Sequence, residues 1–288
     1  MKSKFRGIYI PLLTAFTEDG EVDYKIVGEL TEFMINAGVH GLFVLGSSGM
    51  GPAMTTKQRI ETAEFVVKQV KGRIPIIMHV GTADLQTTVE LARHADGLGV
   101  DAVAVVPPFY FTDHTPWEIT AHYKAVAGAI KSPIFLYDNV KYSGYQFTPA
   151  SVKKLAVEVP SLCGMKASFC PQAQLLEYIE VMTKDFAVMS GNSISLLPAA
   201  PHGLSGTIPP QTAHIPELIV ALWNAIESKK YVEAFALQKK ADDFGNTIAR
   251  LGARFGRSAY REALRLRGFK VKRYPRWPSE NLTEEVYT

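Results

Sequence analysis

Lys166 is the residue whose setting points most directly to chemistry. It lies in the apolar run Leu162–Ser168, where burying an ammonium group is costly and the neutral amine is therefore favoured. A neutral lysine amine is a nucleophile that can form a Schiff base with a ketone. A lysine that reaches solvent from the end of a strand is the alternative, and Lys166 taken alone leaves both interpretations open.

Hydroxyl groups follow other apolar runs. Tyr110 and Tyr137 stand at the ends of two such runs, where a tyrosine can relay a proton, although packed aromatics with a hydrogen-bonded hydroxyl are commoner. Residues 46–52 combine glycines with Ser47 and Ser48. Such a turn can direct backbone N–H groups and hydroxyls at a carboxylate or phosphate, and a tight turn without a ligand is equally consistent.

The elements that must position these groups alternate along the chain. Short apolar runs, each followed by a segment with helical periodicity, predict eight strand-then-helix units. The predicted strands are 7–16, 41–46, 74–80, 102–107, 133–138, 162–168, 186–191 and 204–209, and the predicted helices are 24–37, 56–71, 84–98, 116–130, 149–159, 171–183, 193–200 and 213–226. Eight units without a Gly-x-Gly-x-x-Gly turn favour an α/β fold of the (β/α)8 TIM-barrel type, whose active sites lie at the carboxyl ends of the strands.

The barrel is predicted for residues 1–226, and residues 227–288 are predicted to be a helical extension packed on it, with helices at 231–245 and 247–267. Five arginines in this extension, spaced four, three, four and four apart, would share one helical face: Arg250, Arg254, Arg257, Arg261 and Arg265. A face in contact with solvent or another subunit is favoured over a nucleic-acid site, since no aromatic residues are interleaved.

Composition narrows the class of protein. The 288 residues are 47% hydrophobic with a net charge of +3 and two cysteines, which excludes a disordered chain and a disulfide framework. The histidines and carboxylates lack metal-ligand spacing, so no metal is expected, and His79 is expected to be a hydrogen-bonded core residue. Pro11 interrupts the N-terminal apolar run and no long apolar stretch follows, which predicts a cytoplasmic protein without nucleic-acid or membrane partners.

In order along the chain, the fragments resemble a family of class I, pyruvate-dependent aldolases, the dihydrodipicolinate synthase and N-acetylneuraminate lyase superfamily. Residues 14–20 resemble the family's T-P-F-x-x-D-G, 46–49 its G-T-T-G, 108–110 its P-Y-Y, 136–138 its L-Y-N, 164–168 its G-I-K-x-S/T and 190–191 the start of its S-G-D. Each fragment alone is weak, but their order at successive predicted strand ends is specific.

The resemblance implies roles for these positions. Lys166 would form the Schiff base with a 2-oxo acid, so no cofactor is needed, and Tyr137 would pass protons. Ser47 and Ser48 would hold the pyruvate carboxylate, and Tyr110 would reach a neighbouring subunit's site, which implies a homotetramer built as a dimer of dimers. The resemblance adds three further substrate contacts, which are Ser168, Gly191 and Ile208.

Departures from the family pattern indicate the substrate. Tyr142 stands where synthases carry the arginine that clamps the second carboxylate of their aldehyde substrate. Residues 49–52 (Gly-Met-Gly-Pro) and the tail 274–278 (Tyr-Pro-Arg-Trp-Pro) are most similar to the archaeal 2-keto-3-deoxygluconate aldolases. The sequence therefore predicts a lyase that reversibly cleaves a 2-keto-3-deoxy sugar acid, foremost 2-keto-3-deoxygluconate, to pyruvate and an aldehyde such as glyceraldehyde.

Several alternatives stay open at this point. Aldolases of that kind bind a 6-phosphate through two arginines. Here Asp113 stands near the first position while Arg254 or Arg257 could serve as the second, which favours the neutral sugar acid. A dihydrodipicolinate synthase-like enzyme, another 2-oxo-acid lyase or dehydratase, and a catalytically silent barrel that binds a sugar acid are the other possibilities.

Overall fold

The computed structural model describes residues 4–272 and contains one closed barrel of parallel strands, each paired with the next along the chain and the last with the first. The predicted (β/α)8 fold is confirmed. The strands are β1 Gly7–Pro11, β2 Gly41–Val44, β3 Ile76–His79, β4 Ala102–Val105, β5 Ile134–Asn139, β6 Leu162–Ser168, β7 Ala187–Ser190 and β8 Gly206–Thr207.

Helices follow the strands and cover the barrel. They are α1 Tyr24–Asn36, α2 Thr56–Val70, α3 Leu85–Gly97, α4 Pro116–Ala127, α5 Val140–Ser143, α6 Pro149–Glu158, α7 Gln172–Val181, α8 Leu196–Ala199, α9 Pro216–Glu227, α10 Tyr231–Phe255 and α11 Ser258–Leu266. No helix in the described range 4–272 is long and apolar enough to cross a membrane.

The local sequence specifies where three of the helices begin. Thr55, Thr115 and Thr148 each accept a hydrogen bond from the backbone N–H three residues on, and the side chain at that position bonds back to the threonine's N–H. This reciprocal pairing satisfies two backbone N–H groups that have no partner within the helix. The three helices therefore begin within a residue of where the sequence pattern places them.

Aromatic side chains fill the lower part of the barrel interior. Phe5 lies edge-on to Phe135 with ring centroids 5.5 Å apart, and Tyr9 and Phe43 belong to the same buried cluster. Gly164 of β6 makes room for this packing, because a Cβ there would lie 2.4 Å from the Phe135 ring. Side chains on a strand alternate between faces, so Lys166 stands two residues further along the same inward row.

The C-terminal helices differ from the prediction. One helix, α10, runs through the expected break at 245–247 and ends at Phe255, because Gly256 has a φ of 60° and a ψ of −146°, which do not continue a helix. The arginines therefore do not share one helical face, since the turn at Gly256 separates Arg254 from Arg257. The expectation of one shared face was wrong, because the spacing of the arginines does not show that a glycine ends the helix between them.

The extension contacts the barrel directly. Gln238 of α10 donates to the Ser193 carbonyl at 3.0 Å, and Arg267 pairs with Glu217 of α9. The boundary between barrel and extension at residue 226 stays a prediction, and the tail motif at 274–278 lies outside the described residues.

Candidate active site

Lys166 is buried, with 3% of its surface exposed. Its Nζ lies 4.7 Å from the ring centroids of both Phe43 and Tyr137, and within residues 4–272 it forms no ion pair with a carboxylate. Burial lowers the pKa of the amine from 10.5 to about 7. The two ring faces offset only part of the cost of burying the charge, so a large fraction of Lys166 is the neutral amine near neutral pH.

Tyr137 stands directly beside this amine, since it is the register partner of Lys166 in the neighbouring strand β5. Its hydroxyl lies 3.2 Å from Ser47 Oγ and accepts a hydrogen bond of 2.8 Å from Asn139 Nδ2. Burial raises the pKa of Tyr137, and the bonds to Ser47 and Asn139 oppose that rise. The phenol is therefore protonated and linked to a second hydroxyl, an arrangement suited to proton relay.

The loop after β2 carries Ser47 and Ser48 on a constrained backbone. Leu45 and Met50 are non-glycine residues with positive φ, 60° and 57°. A Cβ on Gly51 would lie 1.9 Å from the Leu45 carbonyl oxygen, so only glycine permits this turn. Both serines line the cavity described below, as the Gly/Ser pattern led us to expect.

A buried network supports this loop. His79 Nδ1 lies 3.1 Å from the Leu45 carbonyl oxygen, and burial lowers the pKa of His79 to about 3. The neutral imidazole therefore donates to Leu45, and its ring lies edge-on to Tyr137 with centroids 5.5 Å apart. Arg59 of α2 donates to the carbonyls of His79 and Gly81 at 2.8 and 3.1 Å. His79 is thus a hydrogen-bonded core residue, as predicted.

The ends of β6 and β7 complete the floor of the site. Gly191 donates its N–H to the Ala167 carbonyl at 2.6 Å, and a Cβ on Gly191 would lie 2.7 Å from Ser168 Oγ. Both Gly191 and Ser168 line the cavity. Ile208 does not, because it is fully buried in the interior cluster of the barrel.

Tyr110 also lies apart from these residues within one chain. It is 83% exposed, has a φ of 84° and is absent from the cavity wall. Six of the predicted positions therefore meet at one cavity, namely Lys166, Tyr137, Ser47, Ser48, Ser168 and Gly191.

The cavity has a volume of about 660 Å³ and is closed on one side by the C-terminal helices. The wall contains four small residues at intervals of three, one and three, which places them on one side of the helix: Ala249, Gly252, Ala253 and Gly256. Because their side chains are small, the backbone at the end of α10 lies close to the cavity. This small-residue stripe is a signal that sequence reasoning missed. It could have placed the helix against the site.

Two arginines at the start of α11 and within it also belong to this wall. Arg257 donates to the Ser47 carbonyl and to the Tyr142 hydroxyl, each at 2.8 Å, and Arg261 lines the cavity too. Arg254 does not. The expectation that the arginine stripe faces solvent or another subunit was wrong for Arg257 and Arg261, because the turn at Gly256 directs α11 back towards the barrel.

No group of three potential metal ligands occurs within the described part of the chain. The polar groups at the cavity are an amine, hydroxyls, amides and guanidinium groups, which suit proton transfer and anion binding rather than metal ligation.

Comparison with known proteins assigns the family. The model of the dihydrodipicolinate synthetase family matches residues 4–288. The chain belongs to this family. A probable 2-dehydro-3-deoxy-D-pentonate aldolase of Escherichia coli (strain K12) is 32% identical over 240 residues, 82% of this chain and 79% of that protein. An N-acetylneuraminate lyase of Rhizobium meliloti (strain 1021) is 30% identical over 257 residues, 89% of this chain and 84% of that protein.

A solved structure agrees with this assignment. YagE, a prophage protein of the dihydrodipicolinic acid synthase family from E. coli K12, was crystallised in complex with pyruvate. It has a TM-score of 0.93 and 28% identity, covering 98% of this chain and 95% of that one. The chain is thus a carbon–carbon lyase of the class I aldolase type, whose family uses a lysine Schiff base and no metal cofactor. The superfamily resemblance is confirmed, and the closer likeness to 2-keto-3-deoxygluconate aldolases stays a prediction.

Replacing Lys166 by Met should stabilise the fold. The pKa of Lys166 is lowered from 10.5 to about 7, so the cost of the buried ammonium is fully present below pH 7 and declines as the pH rises towards 10.5. Lys166→Met should raise the free energy of unfolding by on the order of 2–4 kcal/mol at about pH 6, and by less at about pH 9. Calorimetry at both pH values measures this difference. The exposed Lys141→Met is the matched control, and an equal gain at both pH values would contradict the argument.

Proposed function

We propose that this lyase is a pyruvate-dependent aldolase that reversibly cleaves a 2-keto-3-deoxy sugar acid, with 2-keto-3-deoxygluconate as the reference substrate. The observation that supports it is the buried Lys166 amine beside Tyr137, whose hydroxyl contacts Ser47 in the same cavity. A low-pKa amine and a protonated phenol are the two groups that imine formation and proton transfer require.

The first step is attack of the neutral Lys166 amine on the C2 carbonyl of the 2-oxo acid. The carbonyl oxygen gains a proton as the carbinolamine forms, and Tyr137, linked to Ser47, is placed to supply it. Loss of water then leaves a protonated imine. The substrate carboxylate would lie against the turn that carries Ser47 and Ser48, since both serines line the cavity and such turns can offer hydroxyl and backbone N–H groups to an anion.

The second step breaks the C3–C4 bond. Tyr137, having given up its proton, takes the proton of the C4 hydroxyl, so that C4 leaves as an aldehyde while the bonding electrons move to C3. The imine accepts these electrons as an enamine. Protonation at C3 and hydrolysis of the imine release pyruvate and restore the Lys166 amine.

The cavity also suits a hydroxylated chain. Four polar atoms of its lining residues are buried without a hydrogen-bond partner in the described part of the chain, and all can bond a hydroxyl: Asn139 Oδ1, Ser168 Oγ, Gln211 Oε1 and Arg261 Nη1. Buried polar groups are costly unless they are paired. A polyhydroxylated substrate would pair them, which supports a sugar acid over a small apolar 2-oxo acid.

The alternatives within the family are separated by their products. A dihydrodipicolinate synthase-like enzyme would condense pyruvate with an amino aldehyde, and a dehydratase would release water and retain the carbon chain. Tyr142, which stands at the position of the synthases' carboxylate-binding arginine, argues against the first. Incubation with 2-keto-3-deoxygluconate and analysis for pyruvate and glyceraldehyde tests the proposal, and dehydration without pyruvate would overturn it.

Borohydride should trap the proposed imine. With pyruvate present, reduction should add a pyruvate-derived mass to Lys166 and abolish activity. Because the pKa of Lys166 is about 7, the trapping rate should rise about tenfold per pH unit below pH 7 and level off above it. Peptide mass spectrometry locates the adduct. Lys166→Met is the control, and an unmodified Lys166 in folded protein would show that the mechanism is wrong.

Tyr137→Phe should separate proton transfer from packing. The ring contacts with Phe43 and His79 remain, so the fold should persist while kcat falls by about 10²- to 10⁴-fold. Steady-state kinetics and circular dichroism measure the two effects. Tyr145→Phe, outside the cavity wall, should retain wild-type activity, and a Tyr137→Phe enzyme with unchanged kcat would exclude the relay.

We further propose a cytoplasmic homotetramer in which Tyr110 enters the cavity of a neighbouring subunit. Exposed aromatic side chains support this assembly, since Tyr110 and Phe111 lie edge-on with ring centroids 5.1 Å apart and are 83% and 67% exposed, and Trp117 is 77% exposed. Exposed clusters of large apolar side chains mark interfaces.

Sedimentation equilibrium should show a tetramer. Trp117→Glu should dissociate it and lower kcat, because the site loses the neighbour's hydroxyl. Val157→Glu, at a 75% exposed position on α6, is the control and should leave the tetramer intact. A fully active monomer would contradict the proposal.

A further inference from the structure

Asn139 contacts the hydroxyl group of Tyr137 from inside the barrel. Both residues lie on β5, and because side chains on a strand alternate between faces, residues 137 and 139 share the inward row. Asn139 Nδ2 donates to the Tyr137 hydroxyl oxygen at 2.8 Å, and only 3% of the surface of Asn139 is exposed. Asn139 also lines the cavity, so its amide is a buried part of the site.

The backbone at Asn139 is constrained as well. Asn139 is the last residue of β5 and is the register partner of Ser168 in β6. Its carbonyl oxygen accepts a hydrogen bond of 3.1 Å from Ser143 Oγ, and Ser143 is fully buried. Helix α5 begins at the next residue. The amide therefore reaches Tyr137 from a fixed position at the junction of strand and helix.

The chemistry of the amide gives this hydrogen bond a direction. A carboxamide nitrogen donates hydrogen bonds and does not accept them, so the Tyr137 oxygen must be the acceptor. The proton of Tyr137 is then directed elsewhere, either to Ser47 Oγ at 3.2 Å or into the cavity. Among the described residues, Asn139 and Ser47 are the two hydrogen-bond partners of this hydroxyl. The amide thus keeps the proton available for transfer.

The proposed reaction makes the Tyr137 oxygen negative for part of the cycle. Tyr137 gives its proton to the carbinolamine oxygen and later takes the proton of the C4 hydroxyl, so it is a phenolate between the two transfers. Burial disfavours that charge and raises the pKa of Tyr137, whereas the bonds to Ser47 and Asn139 oppose the rise. A hydrogen bond to a charged oxygen is roughly twice as strong as one between neutral groups, so the Asn139 bond strengthens when the phenolate forms.

We propose that Asn139 is a positioning residue for this reaction, whose amide N–H directs the proton of Tyr137 into the site and stabilises the phenolate that remains when the proton leaves. The same donor serves both transfers. The proton that Tyr137 gives to the carbinolamine oxygen leaves in the water that is lost, and the C4 hydroxyl returns one to Tyr137, so the phenol is restored in each cycle. This inference deepens the proposed function and rests on it.

Two substitutions of nearly the same shape test this role. Asn139→Leu removes the amide, and Asn139→Asp replaces the N–H donor by a carboxylate oxygen that only accepts. At about pH 9 the Lys166 amine is neutral. With borohydride in excess, so that imine formation limits trapping, both variants should trap pyruvate about 10- to 100-fold more slowly than the wild type. If Asn139 only fills space, Asn139→Asp should trap pyruvate at the wild-type rate, and that result would overturn the proposal.

Steady-state kinetics separate positioning from substrate binding in the addition of pyruvate to glyceraldehyde. For Asn139→Leu, kcat should fall about 10- to 100-fold while the KM of pyruvate stays close to the wild-type value, since the amide acts on the transition state. The solvent deuterium isotope effect on kcat should increase, because proton transfer becomes rate-limiting. Asn139→Gln, which retains the amide on a longer side chain, should restore part of the rate.

Asn224→Leu is the matched control. Asn224 is exposed on α9 and lies outside the cavity wall, so this variant should retain the wild-type kcat and isotope effect. A folded Asn139→Leu enzyme with the wild-type kcat would show that Tyr137 does not need the amide.

A measurement on the wild-type enzyme covers variants that do not fold. In a crystal structure of the borohydride-reduced pyruvate adduct, Asn139 Nδ2 should remain within about 3.2 Å of the Tyr137 oxygen, and an amide turned away from Tyr137 would overturn the proposal. Trapping also separates the two hypotheses. Without an adduct on Lys166 in the wild type, the proposed function is wrong and the role of Asn139 with it, whereas an adduct that forms equally fast in Asn139→Leu overturns only the role of Asn139.

Discussion

The buried amine of Lys166 is the constraint on which the rest of the site depends. An ammonium group inside a barrel has no bulk water around it, and here the described structure offers two ring faces and no carboxylate. The same burial that makes this position unfavourable for a charge gives the amine its low pKa and its nucleophilicity. Burial of Lys166 therefore lowers the stability of the folded protein while it makes the amine more reactive. The buried cluster of Phe5, Phe43 and Phe135 packs beneath Lys166 and keeps the surroundings of the amine apolar.

A reactive amine is useful only where its partners are held rigidly. Ser47 is carried by a turn with two left-handed non-glycine residues, Leu45 and Met50, and such conformations persist only when their surroundings enforce them. Hydrogen bonds from Arg59 to the His79 carbonyl and from the His79 ring to the Leu45 carbonyl hold the turn in this conformation. Since His79 also contacts Tyr137, one buried network positions the hydroxyls of both Ser47 and Tyr137.

The C-terminal helices complete one side of the cavity at the carboxyl ends of the strands. The family shares lysine imine chemistry, so selectivity must come from the walls that meet the acceptor. The C-terminal wall of the cavity includes the small residues Ala249, Gly252 and Ala253 of α10 and the guanidinium groups of Arg257 and Arg261. Two of the arginines that contribute to the net charge of +3, Arg257 and Arg261, line the cavity.

Much of the architecture could be predicted from sequence, for identifiable reasons. Apolar strands buried on both faces and capped amphipathic helices are local patterns, and eight repeats of them specify a closed barrel. Lys166, Tyr137 and the Ser47 turn could be found because strand ends in such a barrel converge. Gly256 was the local signal for the break between α10 and α11, and helical periodicity concealed it because the arginine spacing continues across the turn.

The sequence by itself determined the barrel and the family and pointed to Lys166 as the candidate nucleophile, because each is encoded in a strand, a turn or a motif of adjacent residues. Tertiary structure alone decided that Ile208 lies in the core, that Tyr110 is exposed away from the cavity of its own chain, and that Arg261 is buried beside Met50. These three outcomes depend on contacts between residues far apart in the chain. A local sequence pattern does not show which distant residues come into contact, or which polar and charged side chains are buried, once the barrel has closed.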